Sequence, residues 1–174
     1  MPKGLRPILA PLDEEVDHAR GPTSGRLILE YGDYECPHSR HASRAIERVE
    51  QELSIRFAFR HFPLVQIHPH AFGAAAAVEA AAMQDRFWAM HKLLFHRQTA
   101  LEDDDLRQYA DQLGLNVGRF DQDRVGSDVR RRIRRDVESG LASREVRGTP
   151  TLFIDGVVYV GGYDAASLME ALST

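Results

Sequence analysis

The sequence predicts an α/β fold in which a helical segment separates two regions that contain strands. Residues 26–31 form a nearly continuous apolar run, which is typical of a strand covered on both faces. Helical patterns follow from Pro69 to about Val146. Two β-branched runs joined by Asp155-Gly156 then predict a β-hairpin near the carboxyl terminus.

The composition is typical of one globular unit. A chain of 174 residues, 43% hydrophobic and 28% charged, can bury one substantial core. The net charge of −4 is too small to indicate a nucleic-acid partner. No run approaches the roughly 20 apolar residues of a membrane span, and the proline-broken start is not a signal peptide. If Met1 is the native start, we expect a cytoplasmic protein that binds neither nucleic acid nor membrane.

The amino-terminal part predicts an arm followed by a strand–helix–strand unit. Residues 1–24 contain four prolines and a short acidic stretch, which indicates an extended arm. After the strand at 26–31, a helix is expected from Pro37 to about Leu53. Residues 55–60 alternate apolar and polar, which predicts a second strand. The short connections favour a right-handed crossover between parallel strands.

The middle and the end of the chain predict several helices, the hairpin and a last helix. Helices are expected around 71–83, 87–95 and 106–113. Four apolar residues recur at four-residue intervals in the next helix: Val129, Ile133, Val137 and Leu141. Their spacing predicts one buried stripe, and the five arginines within 130–135 are expected on a solvated face. A capped terminal helix is expected at 164–172.

Cys36 is the only cysteine in the chain, so no internal disulfide can form. It lies between the first predicted strand and its helix, where open α/β sheets place their ligands. Pro37 suits the first helical position, which makes Cys36 the N-cap. Its sulfur is then expected to accept hydrogen bonds from the amides of His38 and Ser39. The helix dipole adds to this preference for a thiolate.

Other side chains around Cys36 leave several interpretations open. A protonated His38 would favour the thiolate, whereas Asp33 and Glu35 would oppose it if they face the sulfur. Free cysteines are often simply buried, but the strand-to-helix turn favours a nucleophile here. A metal site is the remaining candidate, on a set of six residues: Cys36, His38, His41, His61, His68 and His70. Its spacing does not match the usual zinc patterns, so we expect no metal. His91 and His96 are expected to line or border the helical core.

The sequence Gly148-Thr149-Pro150-Thr151 directly precedes the predicted hairpin. Proline has no backbone N–H to donate to a strand ladder, so it belongs at an edge or in a special turn. A cis Thr149-Pro150 bond would serve this purpose. Judged from these residues alone, an ordinary trans turn is the better-supported alternative.

Together these stretches resemble the DsbA-like thiol-disulfide oxidoreductases of the thioredoxin superfamily. The resemblance spans roughly residue 18 to the end and rests on four segments: 30–38, 59–64, 87–91 and 148–151. It implies a thioredoxin-like fold with a central mixed β-sheet and an inserted α-helical domain. The implied parts are an arm at 1–24, the first half of the thioredoxin-like domain at 25–68, the inserted helical domain at 69–146 and the second half at 147–174.

The resemblance also implies the roles of the site residues. The implied catalytic residues are Cys36, Pro37, His38, Ser39 and Glu30. Cys36 would be the nucleophile, and Pro150 would be cis and lie against the sulfur. The backbone of Thr149 would pair with an extended substrate. Glu30 matches a strand carboxylate near the active-site cysteines and is expected to handle protons, the alternative being a surface strand residue.

Ser39 departs from the family pattern because it stands where the second cysteine is found. Disulfide exchange needs a resolving thiol, and a serine cannot attack a disulfide. We therefore expect a monothiol route on protein or small-molecule disulfides, with glutathione as a possible co-substrate and no bound cofactor. Two alternatives stay open. One is a glutathione-binding transferase or isomerase, in which Cys36 or Ser39 polarises the glutathione sulfur. The other is a non-catalytic peptide-binding module.

Overall fold

A computed structural model describes residues 9–174, which form a five-stranded sheet with seven helices. The strands are β1 His18–Arg20, β2 Arg26–Gly32, β3 Ile55–His61, β4 Thr151–Ile154 and β5 Val157–Val158. The helices are α1 Pro37–Glu52, α2 Ala71–Ala82, α3 Phe87–His96, α4 Asp103–Gln112, α5 Val117–Asp123, α6 Ser127–Ser143 and α7 Ala165–Ser173. None of the helices within residues 9–174 is long and apolar enough to cross a bilayer.

The sheet is mixed and has the order β1-β3-β2-β4-β5. Strands β2 and β3 are parallel, and the other three pairs are antiparallel. The predicted α/β fold with a mixed sheet is therefore confirmed, as is the strand–helix–strand unit formed by β2, α1 and β3. Because side chains alternate along a strand, β2 and β3 supply apolar residues to cores on both faces of the sheet.

The two faces differ in what covers them. Ile28 of β2 and Phe57 of β3 belong to the larger core, together with residues of α1, α3 and α7. On the other face, Tyr31 donates to or accepts from Ser139 of α6, with 2.8 Å between the hydroxyl oxygens. A Cβ on Gly140 would lie 3.1 Å from the rings of Tyr31 and Phe62. The absence of a side chain at Gly140 thus allows α6 to approach the sheet closely.

The amino-terminal segment is more ordered than an extended arm. Residues 1–8 lie outside the described part of the chain, but residues 18–20 form β1, which pairs with β3. Asp17 forms an ion pair with Arg60, with 2.8 Å between Oδ2 and the guanidinium, and both side chains are fully buried. The alternation at 55–60 predicted β3 but does not show that the face carrying Arg60 is buried. The amino-terminal segment covers that face and supplies the counter-charge.

Helix α6 has a shorter apolar stripe than its sequence predicts. Val129 and Ile133 are buried, but Leu141 is 59% exposed. Each four-residue step rotates by about 40° more than a full turn, so three steps carry Leu141 roughly 120° away from Val129. The arginines do not all lie on a solvated face either, because Arg132 and Arg135 form ion pairs with the buried Asp136.

The predicted hairpin is confirmed. Asp155 and Gly156 have φ angles of 47° and 82°, and they join the antiparallel strands β4 and β5. Strand β5 ends at Val158, two residues earlier than expected, and Val160 is 91% exposed. The terminal helix is also confirmed, since the side chain of Asp164 accepts a hydrogen bond from the amide of Ser167 at 3.0 Å.

Candidate active site

Cys36 lies at the junction of β2 and α1, as the sequence predicts. It is the N-cap residue of α1, with φ −75° and ψ 122°, and Pro37 is the first helical residue. The thiol is 4% exposed and donates a hydrogen bond to the carbonyl oxygen of Thr149, with 3.3 Å between Sγ and O. The expected hydrogen bonds from the amides of His38 and Ser39 to the sulfur are not formed. The S–H group points across the site to Thr149 instead of along the helix.

The segment before β4 forms the other wall of the site. The Thr149–Pro150 peptide bond is cis. The hydroxyl Oγ1 of Thr149 is buried and has no hydrogen-bond partner among the described residues. Thr151 stabilises the turn by donating its hydroxyl to the carbonyl of Gly148 at 2.7 Å. The structure thus brings together Cys36 and Thr149, which are 113 residues apart in the chain.

Ser39 supports the turn and does not contact the sulfur. The residue is fully buried, and its Oγ accepts a hydrogen bond from the backbone amide of Asp33 at 3.2 Å. Among the described residues, the Ser39 hydroxyl makes no hydrogen bond to the Cys36 sulfur. A hydroxyl one helical turn after the N-cap faces back toward the end of β2, where an unpaired amide is available.

His38 is exposed and lies beside Tyr163, a residue that the sequence did not indicate. Its Nδ1 is 3.4 Å from the Tyr163 hydroxyl, and the two rings are edge to face with centroids 6.3 Å apart. His41 packs against the same ring at 6.1 Å. The two histidines therefore border the site on the side of α7, whereas the sulfur of Cys36 faces Thr149.

Two carboxylates near Cys36 are occupied by hydrogen bonds from the segment that follows β3. Asp33 Oδ2 accepts from the amide of Leu64 at 2.9 Å and from Nδ1 of His68 at 2.8 Å. Glu35 accepts from the amide of His70 at 2.7 Å and from its Nδ1 at 3.0 Å. Both carboxylates are thus directed at partners other than the sulfur, which reduces the repulsion that a thiolate at Cys36 would experience.

Glu30 is a buried acid without a partner. It is fully buried, and neither carboxyl oxygen has a hydrogen-bond partner among the described residues. Burial raises the pKa of Glu30 to about 8, and the positive charge of Arg20 acts in the opposite direction. The alternative that Glu30 is a surface strand residue is wrong, because both faces of β2 are covered. The side chain therefore holds its proton at neutral pH.

Residues of the helical segment also reach the Cys36 turn. Tyr34 Oη and His91 Nδ1 are 2.8 Å apart, and burial lowers the pKa of His91. Gln98 donates from Nε2 to the carbonyls of Tyr34 and Cys36, each at 2.8 Å. The sequence carries no signal for Gln98, since a polar residue between two helices has no periodicity. His91 lies in the core, as expected. His96, which was also expected to line or border the helical core, is exposed.

The histidines that the sequence raised as metal ligands do not converge. His68 and His70 are paired with Asp33 and Glu35, and His61 Nε2 lies 2.7 Å from Glu79 Oε1. Within residues 9–174 there is no group of three or more histidine, cysteine, aspartate or glutamate side chains that could hold a metal ion.

Cys36 beside the Thr149–Pro150 turn, within a mixed sheet that continues after a helical segment, defines a thioredoxin-like protein. The model of the DSBA-like thioredoxin domain family matches residues 27–173. The chain therefore belongs to the DSBA-like thioredoxin domain family.

Solved structures share this fold at low sequence identity. A thioredoxin-like oxidoreductase from Silicibacter pomeroyi superposes with a TM-score of 0.80 at 21% identity, covering 92% of each chain. The thiol-disulfide exchange protein alpha-DsbA2 from Wolbachia pipientis superposes with a TM-score of 0.78 at 17% sequence identity, covering 92% of this chain and 87% of that protein. Oxidised BdbD from Bacillus subtilis superposes with a TM-score of 0.77 at 17% identity, covering 92% of this chain and 93% of BdbD.

Curated relatives with higher identity carry another name. The Na(+)/H(+) antiporter NhaA 1 of Mycolicibacterium vanbaalenii is 44% identical in an alignment 176 residues long, which covers 98% of this chain and 28% of the relative. The Na(+)/H(+) antiporter NhaA of Herminiimonas arsenicoxydans is 40% identical in an alignment 175 residues long, which covers 99% of this chain and 27% of the relative. The chain thus spans about a quarter of the length of these relatives.

Proposed function

We propose that this protein is a monothiol thiol–disulfide oxidoreductase in which Cys36 is the nucleophile. The observation that carries the proposal is the hydrogen bond between the Cys36 thiol and the Thr149 carbonyl, next to Pro150, in a chain without a second cysteine. Membership of the DSBA-like family supports thiol chemistry at this site. Ser39 limits it to exchange that an external thiol completes.

The reaction has two exchange steps on a mixed disulfide of a protein and glutathione. The Cys36 thiolate attacks the glutathione sulfur, a Cys36–glutathione disulfide forms, and the protein leaves as a thiolate that takes up a proton. A second glutathione thiolate then attacks the Cys36–glutathione disulfide. Oxidised glutathione leaves and Cys36 returns to the thiolate. Two glutathione units thus leave as one disulfide, and the mixed disulfide of the protein is reduced to a thiol.

The side chains and carbonyls of the site suit this chemistry. While Cys36 is a thiol, the Thr149 carbonyl accepts a hydrogen bond from it. Once the thiol has lost its proton, the same oxygen repels the sulfur and favours its turning to a substrate. The backbone at Thr149 is also available to pair with an extended peptide. Glu30, with a pKa raised by burial to about 8, serves as the buried proton carrier in this scheme.

The substrate class is protein or small-molecule disulfides, with glutathione as co-substrate and no resident cofactor. An external thiol must be abundant for a monothiol site to turn over. The reducing cytoplasm meets this requirement, and we place the reaction there.

Turnover of a glutathionylated peptide tests the proposal. The unmodified chain is expected to release the peptide thiol only when glutathione is added, because the second step needs an external thiol. Cys36→Ser should abolish release, since it removes the nucleophile. Ser39→Cys should form an intramolecular disulfide under oxidant and gain the ability to oxidise a dithiol peptide. Release that persists in Cys36→Ser, or glutathione-dependent isomerisation without any exchange, would overturn the proposal.

The relatives favour a second candidate, in which this domain binds an Na(+)/H(+) antiporter. The observation is the match of nearly the whole chain to a quarter of proteins that bear this name. Deleting the matching segment from the Mycolicibacterium vanbaalenii relative and measuring sodium–proton exchange in vesicles tests this candidate. We expect exchange to change on deletion and to be restored when the present chain is added. Equal exchange in the full-length and deleted proteins would contradict it.

A further inference from the structure

Gln98 connects the helical segment to the turn that carries Cys36. It lies between α3 and α4 and is half-buried. Its Nε2 is 2.8 Å from the carbonyl oxygen of Tyr34 and 2.8 Å from that of Cys36. A primary amide carries two N–H donors, so one nitrogen can serve both carbonyls.

These two carbonyls determine how Cys36 is presented. The Cys36 carbonyl also accepts the first hydrogen bond of α1, from the amide of Arg40 at 3.1 Å. The Tyr34 carbonyl belongs to the residue two positions before Cys36, on the other side of Glu35. Holding both oxygens on one donor group restricts the Tyr34–Glu35 and Cys36–Pro37 peptide planes, and hence the direction of the Cys36 side chain between them toward Thr149.

The hydrogen bonds that Asp33 makes with the turn do not duplicate this one. Asp33 contributes its carbonyl, which accepts from the amide of Cys36 at 3.1 Å, and its amide, which donates to Ser39 Oγ at 3.2 Å. Both contacts lie within the turn itself. Gln98 approaches from the helical segment, 62 residues further along the chain.

We propose that Gln98 is a positioning residue for Cys36: its two N–H groups orient the turn and offset the partial negative charge of the Cys36 carbonyl when the nearby sulfur becomes a thiolate. The inference rests on the exchange reaction proposed above. Gln98 acts through the backbone and donates no group to the substrate. A donor held on a carbonyl next to a developing anion lowers the cost of forming that anion without moving during the reaction.

Two substitutions separate this role from simple space filling. Gln98→Met keeps the length of the side chain and removes both donors. Gln98→Glu keeps its shape and directs a carboxylate at two carbonyl oxygens. The matched control is Gln84→Met, because Gln84 also binds a backbone from the helical segment: its Nε2 donates to the Asn116 carbonyl at 3.2 Å and its Oε1 accepts from the Asn116 amide at 2.9 Å.

The experiment is alkylation of Cys36 by iodoacetamide in the full chain as a function of pH, together with the melting temperature. Since Cys36 is the only cysteine, all of the signal comes from this site. Gln98→Met is expected to be alkylated roughly threefold to tenfold more slowly at pH 7, and the midpoint of its pH–rate profile should move upward. The alkylation rate of Gln98→Glu should fall further than that of Gln98→Met. Asp33, Glu35 and His38, the titratable side chains of the turn, are unchanged in every variant.

Gln84→Met should keep the parental rate and midpoint, even where its melting temperature falls as much as that of Gln98→Met. Parental rates in Gln98→Met and Gln98→Glu, or an equal loss in Gln84→Met, would overturn the inference. Turnover of the glutathionylated peptide keeps the two proposals apart. If the parent chain shows no turnover, the proposed exchange reaction is wrong. If the parent turns over and the Gln98 variants keep the parental alkylation rate and turnover, only the proposed role of Gln98 is wrong.

Discussion

Strand β2 and helix α2 each bury one glutamate, and the two carboxyls have different surroundings. Glu30 on β2 has no hydrogen-bond partner among the described residues, and burial raises its pKa to about 8. Glu79 on α2 accepts from Nε2 of His18 at 2.8 Å and of His61 at 2.7 Å. Burial acts to raise the pKa of Glu79 as well, but the hydrogen bonds from His18 and His61 outweigh it and hold the pKa below its ordinary value.

The difference shows that partners, rather than burial, decide whether a buried carboxyl is charged. A carboxyl that burial separates from water and from donors keeps its proton, and Glu30 is then a neutral acid. A carboxylate that accepts two hydrogen bonds remains ionised, and Glu79 joins β1, β3 and α2. Glu30 therefore destabilises the fold at high pH, and its proton is available for transfer. Glu79 stabilises the fold.

The largest expected effect is on the pH dependence of stability in Glu30→Gln. The pKa of Glu30 in the folded chain, about 8, lies above the value of about 4.3 for an unfolded glutamate. The folded state therefore binds the extra proton between these values, and stability falls as pH rises through this window. Glu30 should lower the free energy of unfolding by about 4 kcal/mol between pH 5 and 8, and Glu30→Gln should lack this loss. Urea denaturation at several pH values measures both. If the free energy of unfolding depends on pH in the same way in the parent and in Glu30→Gln, the raised pKa of Glu30 is contradicted.

Glu79→Gln should have a smaller effect of opposite sign. The pKa of Glu79 is lowered in the folded chain, so its stabilisation is present above the unfolded pKa and is lost as pH falls through the folded pKa. At pH 7 the variant should unfold with about 2 kcal/mol less free energy than the parent, because hydrogen bonds to a charged acceptor are replaced by neutral ones. The difference should shrink in acid. A deficit that is constant with pH would show that packing, not charge, is responsible.

The smallest effect is expected for His18→Phe, which removes one of the two donors to Glu79. The ring of His18 stacks on Phe87 with centroids 3.6 Å apart, and phenylalanine keeps this contact. We expect a loss of about 1 kcal/mol at pH 7, smaller than that of Glu79→Gln, since His61 still donates. The control is His96→Phe at the exposed end of α3, which should leave the unfolding midpoint unchanged. An equal loss of unfolding free energy in His18→Phe and His96→Phe would show that the hydrogen bond from His18 to Glu79 does not account for the effect.

The elements of the fold were predictable where a local pattern is strong. The apolar run at 26–31 and the Asp155-Gly156 turn predicted β2 and the hairpin. Strand β1 was not predicted, because His18-Ala19-Arg20 carries no local strand pattern and is held by pairing with β3. The burial of Arg60 was not predicted, since alternation along a strand does not show that a distant aspartate will cover this side chain.

The candidate site was only partly predictable, because only some of its features depend on residues that are close in sequence. Pro37 identifies the helix start, and hence Cys36 as the N-cap, because the fixed φ of proline acts on the adjacent backbone. The direction of the thiol toward Thr149, the engagement of Asp33 and Glu35 by the segment after β3, and the two hydrogen bonds of Gln98 all involve residues remote in sequence. The expected hydrogen bonds from the amides of His38 and Ser39 to the sulfur are not formed; the thiol instead donates to the Thr149 carbonyl, which lies outside the local window.

By itself the sequence determined the strand–helix–strand unit and the hairpin, the position of the only cysteine at a helix start, and the absence of a second thiol at Ser39. Only the tertiary structure decided which charges the buried groups carry and where the sulfur points. Propensity and capping act over a few residues, whereas burial and hydrogen bonding depend on which distant segments meet, as Glu30 and Glu79 demonstrate.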